Sequence, residues 1–456
     1  MSSFIGQQAV VIGAGMGGLT AARALADHFE RVLVLERDVL PADPLDRNGI
    51  PQGRHVHALL AGGQRALAEL FPGFEDGLAH AGAVRLRVGL DVRVECPGFD
   101  PFPQRDLGFD AHAMSRPLVE LAVRRRVHEL SAIDLRQGCR VQELVHRPDG
   151  AAVTGVRYTD PAGRTETVGS ELVLDASGRG MPTLDVLGAL GRVPPDETTI
   201  GVDLAYASAV FAIPEDAPGD WRGVFCFPGA GRASRGSLML PLEGHRWIVT
   251  VGGRHGDIPP GDEAGFMEYA KGLRTSTIYN AIKHAKRLGD IARFRFNESV
   301  LRHYQRLENF PRGLLPIGDA ICRFNPIHGQ GMSVATLEAL ALGRLLALRA
   351  RERDPLVGLA PEYFAEVSRL VETPWMLAAI PDFVHPDTRG ERPADFEQTL
   401  KFGIALGKLA ARDPAVHRLT SEVQHLLKPR SVYQDPALMQ RVLAVMANRV
   451  EEGGQL

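Results

Sequence analysis

The chain has 456 residues, of which 45% are apolar and 23% are charged, and this length suits two or three domains of roughly 150 residues each. Its 52 basic and 55 acidic residues leave a net charge of −3. That balance excludes the broad basic excess of a nucleic-acid-binding protein and the acidic excess of a disordered chain.

Lysine and cysteine are both scarce. Lysine accounts for six of the basic residues, and the first is Lys271. A GC-rich genome explains this bias, which also excludes chemistry that needs a lysine earlier in the chain. The four cysteines form no C-x-x-C pair and no zinc-like cluster, which argues against a disulfide framework and a structural metal.

No targeting or membrane segment is expected. The N-terminus lacks a basic region before its first apolar run, unlike a signal peptide. Apolar stretches stay below the ~18 residues of a membrane span. The sequence therefore predicts a reduced, cytoplasmic protein without a membrane span.

A glycine-rich turn follows the first predicted strand, residues 8–13. Gly13 permits a tight turn, Gly15 lets the backbone approach a pyrophosphate, and Gly18 lets helix and strand pack closely. Met16 and Gly17 open the following helix, whose free N–H groups favour phosphate. Strand, glycines and helix in this order predict a dinucleotide site.

The acid at the end of the second strand narrows the nucleotide. Glu36, with Arg37 beside it, lies eighteen residues after the last glycine of the motif. A carboxylate here accepts hydrogen bonds from ribose hydroxyls and favours an unphosphorylated ribose. The nucleotide is therefore FAD or NAD rather than NADP, and this motif does not choose between the two.

Residues 313–334 favour FAD. A short apolar strand, 314–317, leads into Gly318 and Asp319, and a glycine-punctuated loop, 325–331, opens a long helix, 333–352. A carboxylate at this place can hold a polyol hydroxyl, and the loop can bring backbone N–H groups to a planar ring. A simple NAD dehydrogenase has no use for such a segment.

Here the sequence resembles the FAD-dependent monooxygenase superfamily, with its p-hydroxybenzoate-hydroxylase-like fold. It is most similar to bacterial flavin epoxidases and hydroxylases of polyketide and terpenoid biosynthesis. The resemblance spans most of residues 5–390. It rests on GAGMGG with Glu36, GIPQGRHVHALL (49–60), SRPLVELAVRRRV (115–127), VLDASGRG (173–180), PLEGHRWIVTVGG (241–253) and GDAICRFNPIHGQGM (318–332).

The resemblance implies cofactor contacts along the chain. Asp319 would bind the flavin ribityl chain, Arg116 would contact the FAD chain, and Val141 lies where the family places a strand over the adenine. In the ring loop, residues 326–332, Gly329, Gln330 and Gly331 would line the flavin pyrimidine edge, and Pro326 and Met332 are also predicted to bind the cofactor. Further predicted cofactor-binding residues are Arg54, Asp175 and Gly178.

Two segments depart from the family pattern. Asp175-Ala176-Ser177-Gly178 stands where aromatic hydroxylases carry an Asp-Gly pair that serves both FAD and NADPH. The docking of NADPH or NADH is therefore open, and a partner flavin reductase could supply the electrons. Ile321-Cys322 replaces an Ala-His pair, which removes nothing that the chemistry requires.

The predicted fold class is α/β: a glutathione-reductase-type, Rossmann-like FAD domain with an inserted antiparallel β-sheet domain and a C-terminal helical region. The expected FAD domain is discontinuous, and the sheet roofs the flavin. Residues 262–290 are expected to be helical, as are four later stretches broken at Pro381-Asp382, Pro386-Asp387 and Gly390. The last of these helices either packs on the rest of the protein, faces a membrane, or forms a dimer interface. The domain ranges are 1–80, 105–190 and 290–355 for FAD, 81–104 and 191–289 for the sheet, and 356–456 for the helices.

The resemblance implies that reduced flavin and O₂ form a C4a-hydroperoxide that transfers oxygen to an apolar substrate. Epoxidation needs no protein base, whereas phenol hydroxylation gains from one. The candidate catalytic residues are His57 and His328. His55 and His57 share one side of an extended segment and either contact flavin or substrate or only cap local backbone. His328 contacts either the ring or the substrate.

Candidate pocket residues lie on the sheet and in the tail. Each is either a pocket wall or ordinary core: Phe225, Phe227, Met239, Trp247 and Trp375. The alternatives to a monooxygenase are a prenyl-type (geranylgeranyl-reductase-like) reductase, which shares the D-A-S-G pattern, a flavin halogenase, and a flavin-binding partner without turnover. The lack of an early lysine and of a W-x-W-x-I-P motif counts against the halogenase.

Overall fold

The computed structural model describes residues 4–229 and 231–451. Residues 1–3 and 452–456, which the predicted domain ranges include, and Ala230 lie outside it. The strands are β1 (Gly6–Ile12), β2 (Phe29–Glu36), β3 (Val84–Arg87), β4 (Val92–Glu95), β5 (Asp110–Ala113), β6 (Ile133–Gln137), β7 (Arg140–His146), β8 (Val153–Thr159), β9 (Thr165–Gly169), β10 (Leu172–Asp175), β11 (Glu197–Ala212), β12 (Gly223–Cys226), β13 (Gly236–Leu242), β14 (Arg246–Arg254), β15 (Arg287–Arg302), β16 (Leu314–Pro316) and β17 (Cys322–Arg323).

The helices occupy the intervals between strands and most of the C-terminal hundred residues. They are α1 (Met16–Ala26), α2 (Ala61–Leu70), α3 (Phe74–His80), α4 (Arg116–His128), α5 (Pro182–Ala189), α6 (Glu263–Lys271), α7 (Thr277–Ile282), α8 (Gly331–Arg349), α9 (Leu359–Phe383), α10 (Phe396–Arg412), α11 (Pro414–Gln424) and α12 (Pro436–Glu451). Short 3₁₀ turns include Pro51–Arg54, Gly318–Ala320 and Pro326–His328.

A five-stranded parallel sheet, in the order β16-β10-β1-β2-β6, forms the centre of the cofactor half. Strands β16, β10, β1 and β2 are buried along most of their length, as expected for parallel strands covered on both sides. The edge strand β6 carries Asp134 and Arg136 and is only partly buried. Helices α1, α4 and α8 pack on one face. The three-stranded meander β7-β8-β9 covers the other through a cluster that includes Val156 and Tyr158.

A seven-stranded sheet, in the order β17-β15-β11-β14-β13-β12-β4, forms the second half. Its pairs are antiparallel except β12 with β4. Helices α6 and α7 bury one face of it, and the other face looks toward the 3₁₀ turn before α2. The predicted α/β fold class, with an inserted sheet and a helical C-terminal region, is confirmed.

Two predicted elements differ in detail. Residues 262–290 contain α6 and α7, but β15 already begins at Arg287, because pairing with β11 overrides the local pattern. Helix α9 continues through Pro381 to Phe383, because a proline in the last turn removes only one helical hydrogen bond. The domain boundaries stay a proposal, and β15 belongs by pairing to the seven-stranded sheet.

Helix α8 has the length and hydropathy of a membrane span, but it lies in the core. Half of it is buried, and it packs against α1, α2 and α9. An apolar helix surrounded by other helices is typical of a protein interior.

Candidate active site

The turn between β1 and α1 places three glycines in three different surroundings. Gly13 has a φ of +97°, and a Cβ there would lie 2.8 Å from the Ala176 oxygen. A Cβ on Gly18 would lie 1.9 Å from the Gly13 oxygen, whereas one on Gly15 would meet no atom within 4 Å. The turn is therefore closed around two glycines and open at the third, which stands before the free N-terminus of α1.

The neighbouring residues of the motif are structural. Met16 is buried in the core, and a Cβ on Gly17 would lie 3.5 Å from the Ala335 Cβ of α8. This approach brings the N-terminal turn of α1 against α8. The glycines thus set the distance between the two helices as well as the opening beside Gly15.

Glu36 lies at the carboxyl end of β2 and faces the same turn. Its carboxylate accepts hydrogen bonds from the N–H groups of Ala14 at 2.7 Å and Asp38 at 2.9 Å. Its backbone oxygen accepts from Cys139, which brings the start of β7, and with it Val141, beside the acid. Arg37 is exposed and only 3.9 Å from Asp38.

Arg47, which the sequence patterns did not indicate, has a side chain that is only 8% exposed. Its guanidinium lies 2.7 Å from Glu120, 3.0 Å from Asp38 and 3.3 Å from Glu36. Burial opposes its charge, but Glu120 and Glu36 together raise the pKa of Arg47. It lies in an irregular loop with no motif spacing, so only the fold brings it to these acids.

Arg116 continues this charged chain from α4. It lies 3.1 Å from Glu120, and its Nε is buried without a hydrogen-bond partner. Ser115 caps the helix by accepting from the Leu118 N–H at 3.2 Å. The predicted FAD-contacting arginine is thus held at a capped helix start with one donor unused.

The loops after β10 and β16 meet at the same edge of the parallel sheet. A Cβ on Gly178 would lie 3.8 Å from that of Asp319. Burial raises the pKa of Asp319 despite the positive charges of Arg323, Arg179 and Arg116. Such an edge, at the carboxyl ends of parallel strands, is where open α/β sheets bind ligands.

Asp175 is occupied within its own loop. Its two carboxylate oxygens accept from the N–H and hydroxyl groups of Ser177 and Thr183, at 2.6 to 3.1 Å. The side chain is completely buried. It holds the loop that carries Gly178. Its contribution to cofactor binding, through the position of that loop, remains a prediction.

The ring loop joins the 3₁₀ turn Pro326–His328 to α8. Gly329 has a φ of +65°, and a Cβ there would lie 2.8 Å from the Ala58 Cβ. Gln330 is buried with its Oε1 unpartnered, and a Cβ on Gly331 would meet nothing within 4 Å. Met332 is buried in the core. The start of α8 therefore offers free N–H groups beside open space.

His328 and Asn325 are tied to a buried acid of α9. Asp382 lies 3.2 Å from His328 Nε2 and accepts from Asn325 at 2.9 Å and from Arg254 at 2.8 Å. Burial opposes its ionisation, but the pKa of Asp382 is lowered by His328, Arg254 and Asn325. The acid thereby links the ring loop to α9 and to β14. Sequence reasoning missed it because Pro381-Asp382 resembles a helix end.

The segment His55–Ala58 runs between the seven-stranded sheet and the ring loop. His55 is buried, and burial, together with the charges of His57 and Arg54, lowers its pKa to about 3. Burial and Arg116 lower the pKa of His57 to about 4, and its Nδ1 lies 3.0 Å from the His55 oxygen. Arg54 is exposed, with Asp46 3.6 Å away.

Three of the predicted pocket residues lie on the seven-stranded sheet, and they occupy different faces of it. Met239 and Trp247 lie in the core beneath α6 and α7, opposite the face that meets His55. Phe225 packs on the other face with Val56.

The remaining two candidates lie apart from that face. Phe227 is exposed at the end of β12. Trp375 is buried in α9, with its ring 6.5 Å from that of Phe324, just before the ring loop.

These observations fit FAD. Open space at Gly15 and Gly331, each at the start of a helix, matches a pyrophosphate and a ring edge. Three buried polar atoms without partners belong to predicted site residues or their immediate neighbour: Arg116 Nε, Gln330 Oε1 and His55 Nε2. Buried polar groups are normally hydrogen-bonded, so these atoms indicate a ligand.

Comparison with known proteins agrees with this geometry. The model of a family described as "FAD binding domain" matches residues 7–359. The chain belongs to this FAD-binding family. It is also 34% identical over 414 residues to Protein Rv3254 of Mycobacterium tuberculosis (strain ATCC 25618 / H37Rv), covering 86% of this chain and 85% of that protein.

Solved structures share the fold of this member of the FAD-binding family. p-Nitrophenol 4-monooxygenase PnpA from Pseudomonas putida DLL-E4 is 19% identical, with a TM-score of 0.66 over 94% of this chain and all (100%) of that one. The flavin-dependent brominase Bmp2 is 16% identical, with a TM-score of 0.64 over 98% of both chains. Identities this low show the fold alone. The predicted p-hydroxybenzoate-hydroxylase-like FAD-binding fold is confirmed.

Proposed function

We propose that this protein is an FAD-dependent monooxygenase that epoxidises or hydroxylates an apolar natural-product intermediate, such as a polyketide, a terpenoid or an aromatic compound. The observation that carries this proposal is the segment His55–Ala58. It joins an apolar sheet face, with Tyr206 and Phe294 beside His55 at ring distances of 4.5 and 5.9 Å, to the ring loop at Gly329. A space between these two walls would be poor in water, as oxygen transfer requires.

The proposed roles of the chain are binding, orientation and exclusion of water. The α1 turn would hold the pyrophosphate, Glu36 the ribose and Asp319 the ribityl hydroxyls. The start of α8 would place N–H groups at the flavin edge where negative charge develops on reduction. Reduced FAD, when bound, would supply the chemistry that activates O₂.

His57 and His328 are the proposed catalytic residues. A neutral imidazole accepts a proton from a substrate hydroxyl, and the pKa of His57, about 4, keeps it neutral at physiological pH. Asp382 orients His328 through Nε2, which leaves Nδ1 for the substrate side. These bases would serve hydroxylation of a phenol, whereas epoxidation would proceed without them.

The proposed reductant is NADPH or NADH, acting directly or through a partner flavin reductase, in the cytoplasm. The internally bonded Asp175 favours the second route, because its carboxylate has no free oxygen for a nicotinamide cofactor.

Two other flavin chemistries are the rivals. A prenyl-type reductase is favoured by the Asp175–Gly178 pattern. A halogenase is suggested by the fold shared with Bmp2, but no lysine precedes position 271. The apolar walls beside the ring loop fit the apolar substrate of a monooxygenase and of a prenyl-type reductase alike, so the reaction with O₂ decides between these two.

Oxygen kinetics of the purified flavoprotein test this function. The flavin is reduced anaerobically and mixed with O₂ in a stopped-flow spectrometer. A monooxygenase should give a transient absorbing species, distinct from oxidised and reduced flavin, that lives longer with an apolar aromatic ligand present. Clean one-step reoxidation under all conditions would assign the protein to the reductases instead.

Loss of Asp319 tests the cofactor site. Asp319→Ala removes the proposed ribityl acceptor, so the purified protein should be colourless, with FAD content at least tenfold below wild type. Asp319→Asn keeps an acceptor oxygen and should retain part of the colour. A fully yellow Asp319→Ala protein would contradict the assigned role.

A further inference from the structure

His55 lies at the end of a chain of hydroxyl groups on the sheet. Its Nδ1 is 2.7 Å from Ser208 Oγ, and Ser208 Oγ is 2.5 Å from Thr250 Oγ1. Thr250 Oγ1 also accepts the N–H of Val56 at 3.1 Å. All three side chains are buried, so each proton in this chain needs an acceptor.

Counting these protons decides the tautomer of His55. If Thr250 donates to Ser208 and Ser208 donates to His55 Nδ1, every hydroxyl proton is used. In the reverse direction the hydroxyl proton of Thr250 has no acceptor among residues 4–229 and 231–451. Within the described residues, the first arrangement leaves one buried polar group without a partner, the Nε2–H of His55, whereas the reverse leaves two, the Thr250 hydroxyl proton and the Nε2 lone pair. Each unpaired buried group costs roughly 1–3 kcal/mol, so the first arrangement is favoured. His55 therefore carries its proton on Nε2.

That Nε2–H is itself buried and makes no hydrogen bond within the described protein. Its ring lies edge-on to Tyr206, 4.5 Å away, and 5.9 Å from Phe294. Three residues further on, Ala58 lies against Gly329 of the ring loop. The unused donor therefore stands in an apolar aromatic corner, in the segment that leads to the ring loop.

We infer that His55 Nε2–H binds a hydrogen-bond acceptor of a ligand held between the sheet and the ring loop. The ligand chemistry is an oxygen or ring nitrogen on an otherwise apolar, planar molecule. It comes either from the substrate, such as a carbonyl group, or from the flavin ring. This inference rests on the proposed function for the place of the ligand, but not on any catalytic step.

Neutrality makes this donor independent of pH. The pKa of His55 is lowered to about 3 by burial and by His57 and Arg54, so its ring carries no charge at pH 5 to 9. The recognition should therefore be constant over that range. A donor that titrates in this range would instead change the affinity.

The test uses ligand binding to the oxidised FAD protein. The probes are 1-tetralone and tetralin, which differ by one carbonyl oxygen, and flavin absorbance reports binding. The wild type should prefer tetralone about five- to tenfold, the worth of one neutral hydrogen bond. His55→Phe keeps the aromatic volume and should abolish the preference, whereas His55→Gln, which retains an N–H donor, should keep part of it.

The same variants separate the two ligand sources. If the acceptor belongs to the flavin, His55→Phe shifts the flavin spectrum and midpoint potential without any added probe. If it belongs to the substrate, those properties stay constant and only the tetralone preference is lost. The inference is overturned if His55→Phe leaves the flavin spectrum, the midpoint potential and the relative affinity for tetralone and tetralin all unchanged.

Controls address folding and the hydroxyl chain. His80→Gln alters an exposed histidine of α3 and should leave FAD content and both readouts unchanged. Ser208→Ala removes the donor to Nδ1, and ¹⁵N spectra of labelled histidine should then show loss of the single Nε2–H tautomer. A wild-type His55 that is protonated on Nδ1 would refute the tautomer. Failure to oxygenate in stopped flow, with the tetralone preference intact, would reject the proposed function alone.

Discussion

Arg47 neutralises three acids that come from two separate parts of the chain. Glu36 ends β2, Asp38 follows it, and Glu120 lies in α4, yet all three approach one guanidinium. The planar guanidinium of arginine offers five N–H donors in a fixed fork, whereas the lysine ammonium offers three donors from one point. The cofactor acid Glu36 therefore depends on a residue that no motif contains.

Removing this guanidinium should destabilise the fold. Arg47→Ala leaves the buried Glu36 without a counter-charge and Glu120 with Arg116 alone, for which the expected loss is about 3–5 kcal/mol in the free energy of unfolding. Urea denaturation measures this free energy, and the stability of Arg47→Lys should lie between those of wild type and Arg47→Ala. The control Arg164→Ala breaks an exposed pair with Asp160 and should change stability by less than about 1 kcal/mol. Equal effects of the two alanine variants would contradict this role.

Glu338 is a buried acid under the Gly318 turn. Its Oε2 accepts the Gly318 N–H at 2.6 Å, and its Oε1 has no partner. Burial raises the pKa of Glu338 from 4.5 to about 8, although the Gly318 hydrogen bond opposes the shift. The residue is therefore neutral in the folded protein at pH 7 and ionised in the unfolded chain.

This difference makes stability fall as pH rises. Below pH 4.5 the Glu338 carboxyl is protonated in both the folded and the unfolded state, so its titration does not reduce the free energy of unfolding. Between about 4.5 and 8 only the folded state holds the proton, and the loss reaches at most about 5 kcal/mol. Glu338→Gln keeps the shape without titrating, so its stability relative to wild type should grow from pH 5 to pH 8. A constant difference in urea unfolding across that range would exclude Glu338 as the cause.

At the scale of the element, the β1–α1 unit shows that two glycines of one sequence motif have different surroundings. A Cβ on Gly15 meets open space, whereas one on Gly18 meets the Gly13 oxygen at 1.9 Å. The first glycine would therefore be required by the proposed pyrophosphate, whereas the second is required by the fold. Sequence spacing predicts both positions but not this division.

Alanine substitution should separate the two roles. Gly15→Ala should leave the stability of the FAD-free protein within about 0.5 kcal/mol of wild type and weaken FAD binding at least tenfold, since only the ligand would meet the new methyl group. Gly18→Ala should destabilise the FAD-free protein itself, as measured by urea unfolding. Gly403→Ala in α10, with nothing within 4 Å, serves as control and should stabilise by about 0.5–1 kcal/mol. Normal FAD affinity in Gly15→Ala would refute the pyrophosphate role.

In the seven-stranded sheet, the sequence predicted the strands but not which face each side chain occupies. Strand-like runs were evident, but Met239 and Trp247 could not be assigned a face. Both faces of β13 and β14 are apolar, because α6 and α7 cover one and Val56 with its neighbours covers the other. Alternation alone carries no information about direction when both sides are buried.

At the scale of the whole molecule, the cofactor site draws on distant parts of the chain. The turn at Gly15, the acid Glu36, the Asp319 loop and the start of α8 lie along the carboxyl edge of one parallel sheet. A ligand that spans them binds only the folded protein and stabilises it in proportion to its occupancy.

FAD and FMN should therefore differ. Adding FAD at 100 times its dissociation constant should raise the free energy of unfolding by about 2.7 kcal/mol, visible as an increase in melting temperature. FMN lacks the adenylate half that Glu36 and the α1 turn would hold, so at equal concentration its effect should be much smaller. Equal stabilisation by both would show that the α1 turn does not bind the nucleotide.

The sequence by itself determined the FAD-binding family, the glycine turn with Glu36, and the ring loop before α8. These are local patterns, in which backbone chemistry depends on residues a few positions apart. The tertiary structure alone decided which distant side chains share a site: Arg47 with Glu120, Asp382 with His328, and His55 with Ser208. Those pairs are 73, 54 and 153 residues apart. Their contacts arise from long-range packing of the two sheets and α9, which leaves no period or spacing in the chain.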